Sequence, residues 1–159
     1  MGTSSTTGQT FYSKDWEDVK DVTRTLNIGE GKLSQINQPL VEKYQEMVDR
    51  EIDSMLSDLY WVPLKAFNQY QPDGTTKGVF PGDVRRLARF WTAGLLLRSE
   101  FQGLEPNANE GALNYIEDAR RELYKMIRFN HRIQGQVMKH GIRTMLPTMA
   151  PPAYNEPDF

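Results

Sequence analysis

Cysteine is absent from all 159 residues, and that absence excludes a disulfide scaffold, a thiolate zinc site, an iron–sulfur site and a cysteine nucleophile. Long apolar runs are also missing. The longest, 93–97, falls far short of the ~18–20 residues that span a bilayer, so no membrane association is expected. The leader MGTSSTTGQT has no basic region followed by an apolar one, so no secretory signal is expected. Its first six residues fit the short myristoylation pattern, as a polar Ser/Thr leader readily does by chance. Apolar residues are scarce at 38 %, with a mean hydropathy of −0.62, against the usual ~45–50 %. A chain this lean has unpacked termini or surfaces that a partner covers. Its length fits one compact domain with sequence left over for arms.

Catalytic and metal-binding patterns are missing as well. The two histidines, His131 and His140, stand nine residues apart, not at the i, i+4 spacing that turns two imidazoles toward one metal. Gly29-Glu30-Gly31-Lys32 lacks the four-residue spacer and the preceding buried strand of a phosphate loop, and reads as a turn. No Gly-x-Ser-x-Gly elbow occurs, and no serine is paired with a base. Nothing here argues for an enzyme, and neither a metal nor a cofactor is expected.

The net charge of −2 conceals a polarity along the chain. Residues 1–118 hold 12 basic and 18 acidic side chains, whereas residues 119–149 hold seven basic ones against Glu122 alone. The last ten residues add Glu156 and Asp158. Such asymmetry points to a body joined to a basic limb that touches something anionic, or to a solvated basic helix end that complements the helix dipole, the reading that suits Lys125 and Arg128 taken alone.

The periodicity predicts a helical protein. A Ser/Thr/Gly/Gln-rich stretch over 1–13 reads as disordered without a partner, and a short helix is expected from Asp15 to about Thr23, anchored by Trp16 and Val19. The strongest signal starts at Asn37, a good N-cap, with Pro39 in the first turn. Leu40, Val41, Tyr44, Met47, Val48, Ile52, Met55, Leu56 and Leu59 recur at three- and four-residue steps on one broad face. Glu42, Glu46, Asp49 and Asp53 line up almost opposite. They lack the Glu-x-x-His companions of a di-metal bundle, so they read as a solvated stripe or an intersubunit charge surface. After Val62-Pro63, residues 65–80 form a loop or irregular hairpin. A second helix opens at Pro81-Gly82-Asp83, runs to about Phe101, and is apolar nearly all round over 90–97, which makes it central in its domain. Arg85, Arg86 and Arg89 oppose the dipole of its first turns; they either stay hydrated or are offset by carboxylates, for instance the acidic stripe of another protomer. Asn107 and Glu110 resemble a capping box for a third helix that continues to about Asn130, with an inner stripe of Ala112, Leu113, Ile116, Ala119, Leu123 and Ile127. From His131 the pattern decays among glycines and prolines. These readings divide the chain into a polar N-terminal arm with a short helix (1–36), a helical core (37–130) and an extended C-terminal arm (131–159). The fold class is all-α, a small antiparallel helical bundle with extended arms.

The run 47–64, MVDREIDSMLSDLYWVPL, resembles the first core helix of tailed-bacteriophage head-to-tail connector proteins (adaptor or head completion proteins). It shares a Glu-Ile-Asp-like element, an aromatic end and a Val-Pro-Leu exit. Val84-Arg85-Arg86-Leu87-Ala88-Arg89-Phe90 with 93–97 matches the family's Leu-Ala-rich second helix, and 113–127 matches its third. The polar leader, the long 65–80 loop and the limb after 130 depart from the family pattern. The resemblance covers residues 37–130. It implies a non-enzymatic structural protein of the virion, made in the host cytoplasm. Such a protein forms a ring of about a dozen copies beneath the portal, extends the DNA channel and receives tail or nozzle proteins. On that reading Glu42, Glu46, Asp49 and Asp53 meet Arg85, Arg86 and Arg89 between protomers. Arg128, Arg132, Lys139, Arg143, Met145 and Leu146 face the portal, or channel DNA without sequence specificity. The alternative is a small helical nucleic-acid-binding module using the basic 119–149 segment; a pI near 5.7 and no recognisable reading motif weigh against it.

Overall fold

The structure, a computed structural model, describes residues 11–24, 34–100 and 106–139, with side chains of the last segment from 110 onward. The described chain is mostly helical, with one small hairpin. Helix α1 spans Trp16–Arg24, α2 Gln38–Leu56, α3 Gly82–Glu100 and α4 Pro106–Arg128. Strands β1 (Phe67–Tyr70) and β2 (Thr76–Val79) lie between α2 and α3. Sequence and structure agree on where α2 begins. The Asn37 side chain accepts from the Leu40 N–H at 3.1 Å, with Pro39 in the first turn, so a donor left over at the helix start is satisfied where proline costs nothing.

Helix α3 is the central element, packing against α1, α2 and α4. Trp91, Ala93, Leu96 and Leu97 are buried, as expected for a helix apolar nearly all round. The buried Thr92 hydroxyl donates to the Ala88 carbonyl at 2.7 Å, so a polar atom enters the core already partnered. One cluster of the core joins Val48, Ile52 and Leu56 of α2 to Val84 and Trp91 of α3 and Ile116 and Leu123 of α4. A second joins α1, through Val19 and Val22, to Val41 and Tyr44 of α2 and Ala93 and Leu96 of α3.

The 65–80 region is an antiparallel hairpin, registered from Phe67↔Val79 to Tyr70↔Thr76. Its turn uses Gly74 at φ +88°, and the Asp73 carboxylate accepts from both the N–H and the hydroxyl of Thr75. Those bonds favour the ionised form and hold the Asp73 carboxyl below its usual range.

Several expectations need correction. The chain is not purely helical, and the described parts of both arms fold back on the core. Tyr12 and Ile36 are buried with the apolar face of α1, so residues 11–24 belong to the domain rather than to a free leader. Helix α4 stops two residues early in a Schellman-type cap. Asn130 takes a left-handed conformation (φ +56°), its N–H donates to Ile127, and the His131 N–H reaches back to Met126 at 2.9 Å. The cap turns residues 131–139 onto the domain, where Ile133 is buried and Tyr60 bridges to Met138. Leu113 and Met47, read as inward, are exposed, and Met126 takes an inner place on α4. Helix α4 begins at Pro106, one residue before the expected cap at Asn107. The leader 1–10, the 29–32 turn, the close of the second helix after Glu100, and residues 140–159 with His140, Arg143, Met145 and Leu146 lie outside the described residues.

Candidate functional site

Four surface features carry the chemistry the chain offers. The first is the acidic side of α2, and the structure divides it. Glu42 accepts from Gln38 and Glu46 from Arg50, which are ordinary exposed helix-surface contacts. Asp49 and Asp53 are not on a solvated stripe. Tyr12 donates its backbone N–H to Asp49 Oδ2 at 3.0 Å and its hydroxyl to Asp53 Oδ1 at 2.5 Å. The same hydroxyl accepts from the Leu64 N–H at 2.7 Å, and the Tyr12 ring packs edge-on to Phe80. Burial pushes the Asp49 carboxyl up to about 7 and raises Asp53 as well. Burial, together with the bond to Asp53, lifts the Tyr12 hydroxyl far above its ordinary range. These two carboxylates are therefore withdrawn from the proposed intersubunit set, because their own chain occupies them.

The arginines of α3 divide in the same way. Arg89 is half-buried against α1, 4.0 Å from Asp18. Its expected partner on another protomer is replaced by an internal one. Arg85 is half-buried and Arg86 exposed, and both stay available to another chain.

Arg86 borders the second feature, a groove of about 430 Å³ between α3 and α4. Leu87, Ala119 and Met126 supply apolar lining, and Phe90 and Tyr115, edge to face at 5.0 Å, supply aromatic lining. At its edge His131 Nε2 lies 3.1 Å from Asp83 Oδ2, and Lys125 pairs with Glu122. The histidine and aspartate are both largely exposed, so the contact is a surface hydrogen bond. Among the described residues no group of three or more His, Asp or Glu is placed to hold a metal ion.

The third feature is the basic end. Arg128 and Arg132 are exposed, Arg128 lying over the Phe129 ring. Lys139 does not face outward as expected. Its ammonium donates to the Ser57 carbonyl at 2.5 Å and sits 5.1 Å above the Trp61 ring, while its backbone N–H donates to Leu59. It fastens the returning chain to the end of α2, and so leaves the set that would meet portal or DNA.

The fourth feature was legible only as an aromatic in the 47–64 run. The antiparallel Tyr60↔Met138 bridge sets Trp61 opposite Val137. Both point outward, with 63 % and 69 % of their surfaces exposed. They form an exposed apolar pair at the exit of α2. Nothing in the local sequence forecasts this pairing, because its halves are far apart in the chain.

Among the described residues no helix is long and apolar enough to cross a membrane. No protein-family model, curated protein or solved structure matches this chain.

Proposed function

We propose that this chain is a structural virion protein, a head-to-tail adaptor that forms a ring beneath the portal, extends the DNA channel and joins capsid to tail. On this reading the core is the family's small antiparallel helical bundle and performs no catalysis. Its partners are copies of itself, about a dozen in a closed ring, the portal above and tail or nozzle proteins below, at the head–tail interface of the virion.

The observation that carries the reading is the outward Trp61–Val137 pair at the Val-Pro-Leu exit of α2. That exit is a segment on which the resemblance to connector proteins rests. Exposed aromatics surrounded by polar surface are the usual anchors of protein interfaces. A ring also needs two different complementary faces on each copy. Glu42 and Glu46 on α2 and Arg85 and Arg86 on α3 supply opposite charges for them. The test is sedimentation of the full chain with a portal ring. Co-sedimentation that Trp61→Ala weakens tenfold or more supports the adaptor role, and failure to co-sediment rejects it.

A nucleic-acid-binding module is the second reading, favoured by exposed Arg120 and Arg128 one turn on either side of the exposed Tyr124 ring on α4, with exposed Arg132 beyond its end. It requires a shift with duplex or single-stranded nucleic acid that weakens steeply with salt.

A further inference from the structure

The seat of the N-terminal segment on α2 holds an acid that its surroundings do not neutralise. Asp49 Oδ2 accepts the Tyr12 N–H, but Asp49 Oδ1 is buried with no hydrogen-bond partner, and so is Gln45 Oε1. These acceptors sit one turn apart on the same helix, where side chains are neighbours. A buried acceptor left without a donor is costly, and here two adjacent ones lack the same thing, a hydrogen.

The surrounding charges do not supply it. On α2, Asp53 bears on Asp49 with the same sign, and Arg50 is turned to Glu46. From the N-terminal segment, the Lys14 ammonium goes to Asp15 and Asp18, and Ser13 receives the Gln45 amide N–H. From α3, Arg89 is directed to Asp18. The loop before β1 contributes the Leu64 N–H, which is donated to Tyr12.

We propose that Asp49 carries a proton while residues 11–15 are seated and releases it when they lift, so that this clasp is a pH-dependent latch. The neutral acid keeps an acceptor for the Tyr12 N–H on one oxygen and gains a donor on the other. The proton goes to solvent on opening and no other covalent bond changes, while the hydrogen bonds of Tyr12 to Asp49, Asp53 and Leu64 and of Gln45 to Ser13 are given up.

The sign follows from burial. Seated, Asp49 titrates at about 7; lifted, it stands on an exposed helix face near the ordinary carboxylate value of about 4. Between those values the seated form binds one proton more, so opening becomes easier as pH rises. The latch is tightest in acid and loosens up to neutrality, with little further change above. This inference stands apart from the adaptor reading and survives its failure.

Hydrogen exchange of the Tyr12 amide in the full chain, corrected for the intrinsic exchange rate, tests the proposal. The opening constant should rise roughly thirtyfold or more between pH 5 and pH 7. In Asp49→Asn most of that rise should disappear, leaving only the smaller contribution of Asp53, whose carboxyl is also raised by burial in the same clasp. The carboxyl carbon resonance of Asp49 in the unaltered chain gives an independent readout and should titrate near neutrality. A flat wild-type profile, a slope undiminished in Asp49→Asn, or a carboxyl midpoint near 4 would each overturn the proposal.

Discussion

Gly94 of α3 lies directly against Ala112 of α4. A Cβ placed on Gly94 would stand 2.7 Å from the Ala112 carbonyl oxygen and 2.7 Å from Ile116 Cγ1. The backbone oxygen cannot swing aside as a flexible side chain would, so the close approach of these helices depends on glycine here. Gly94→Ala should destabilise the fold by about 1–3 kcal/mol, although alanine is otherwise the better helix former by up to ~1 kcal/mol. Urea unfolding checks this, and a stabilised variant would mean that the helices stand further apart.

Trp91 is the largest fully buried side chain, and Arg120 covers its ring at 5.3 Å. Trp91→Ala should cost roughly 3–5 kcal/mol, measured by the same unfolding curve. A loss under about 1 kcal/mol would place the ring at the surface.

Tyr60 does for the C-terminal side what Tyr12 does for the N-terminal side. Its hydroxyl donates to the His131 carbonyl at 2.6 Å and accepts from the Ile133 N–H at 3.2 Å. Tyr60→Phe leaves both backbone groups without their partner and should cost about 1–3 kcal/mol. Limited proteolysis should then cut within 131–139 faster than in the unaltered chain. Equal cutting rates would show that the other contacts, those of Gln136 with Lys65 and of Lys139 with Ser57 and Leu59, hold the segment without the Tyr60 hydroxyl.

The helices were legible because their signals are local. Asn37 with Pro39, and Pro81-Gly82-Asp83, announce starts within a few residues, and the apolar run of α3 announces a central element. The Asp49 and Asp53 environment was not legible. Periodicity placed them opposite the apolar stripe, but their partner, Tyr12, lies 37 and 41 positions away in a stretch whose composition reads as a polar leader. Contacts of that separation leave no periodic trace. Leu113 failed for a subtler reason. It lies next to Ala112 at the edge of the stripe, and the crossing with α3 buries Ala112 instead. The path of 131–139 depended on Asn130 accepting a left-handed conformation, a property of the cap that no hydrophobic period encodes.

Charge reversal separates the two halves of the acidic side of α2. Glu42→Lys with Glu46→Lys should leave stability within about 0.5 kcal/mol and break self-assembly. Arg85→Glu with Arg86→Glu added should restore assembly in part. Asp53→Lys should instead destabilise the folded chain by about 1–3 kcal/mol, since it removes the acceptor of the Tyr12 hydroxyl. Scattering of the assembled species, read beside thermal unfolding, distinguishes these outcomes. Unchanged assembly in both multiple variants would make Glu42, Glu46, Arg85 and Arg86 a solvated surface only.

The proposed adaptor role is tested most directly by electron microscopy of the full chain mixed with a tailed-phage portal ring. The account predicts a continuous closed ring of density stacked on the portal around the channel. Val137→Asp, which places a charge beside Trp61, should abolish the ring while leaving the thermal unfolding midpoint of the free chain unchanged. Bare portals at saturating concentrations of the unaltered chain would contradict the account.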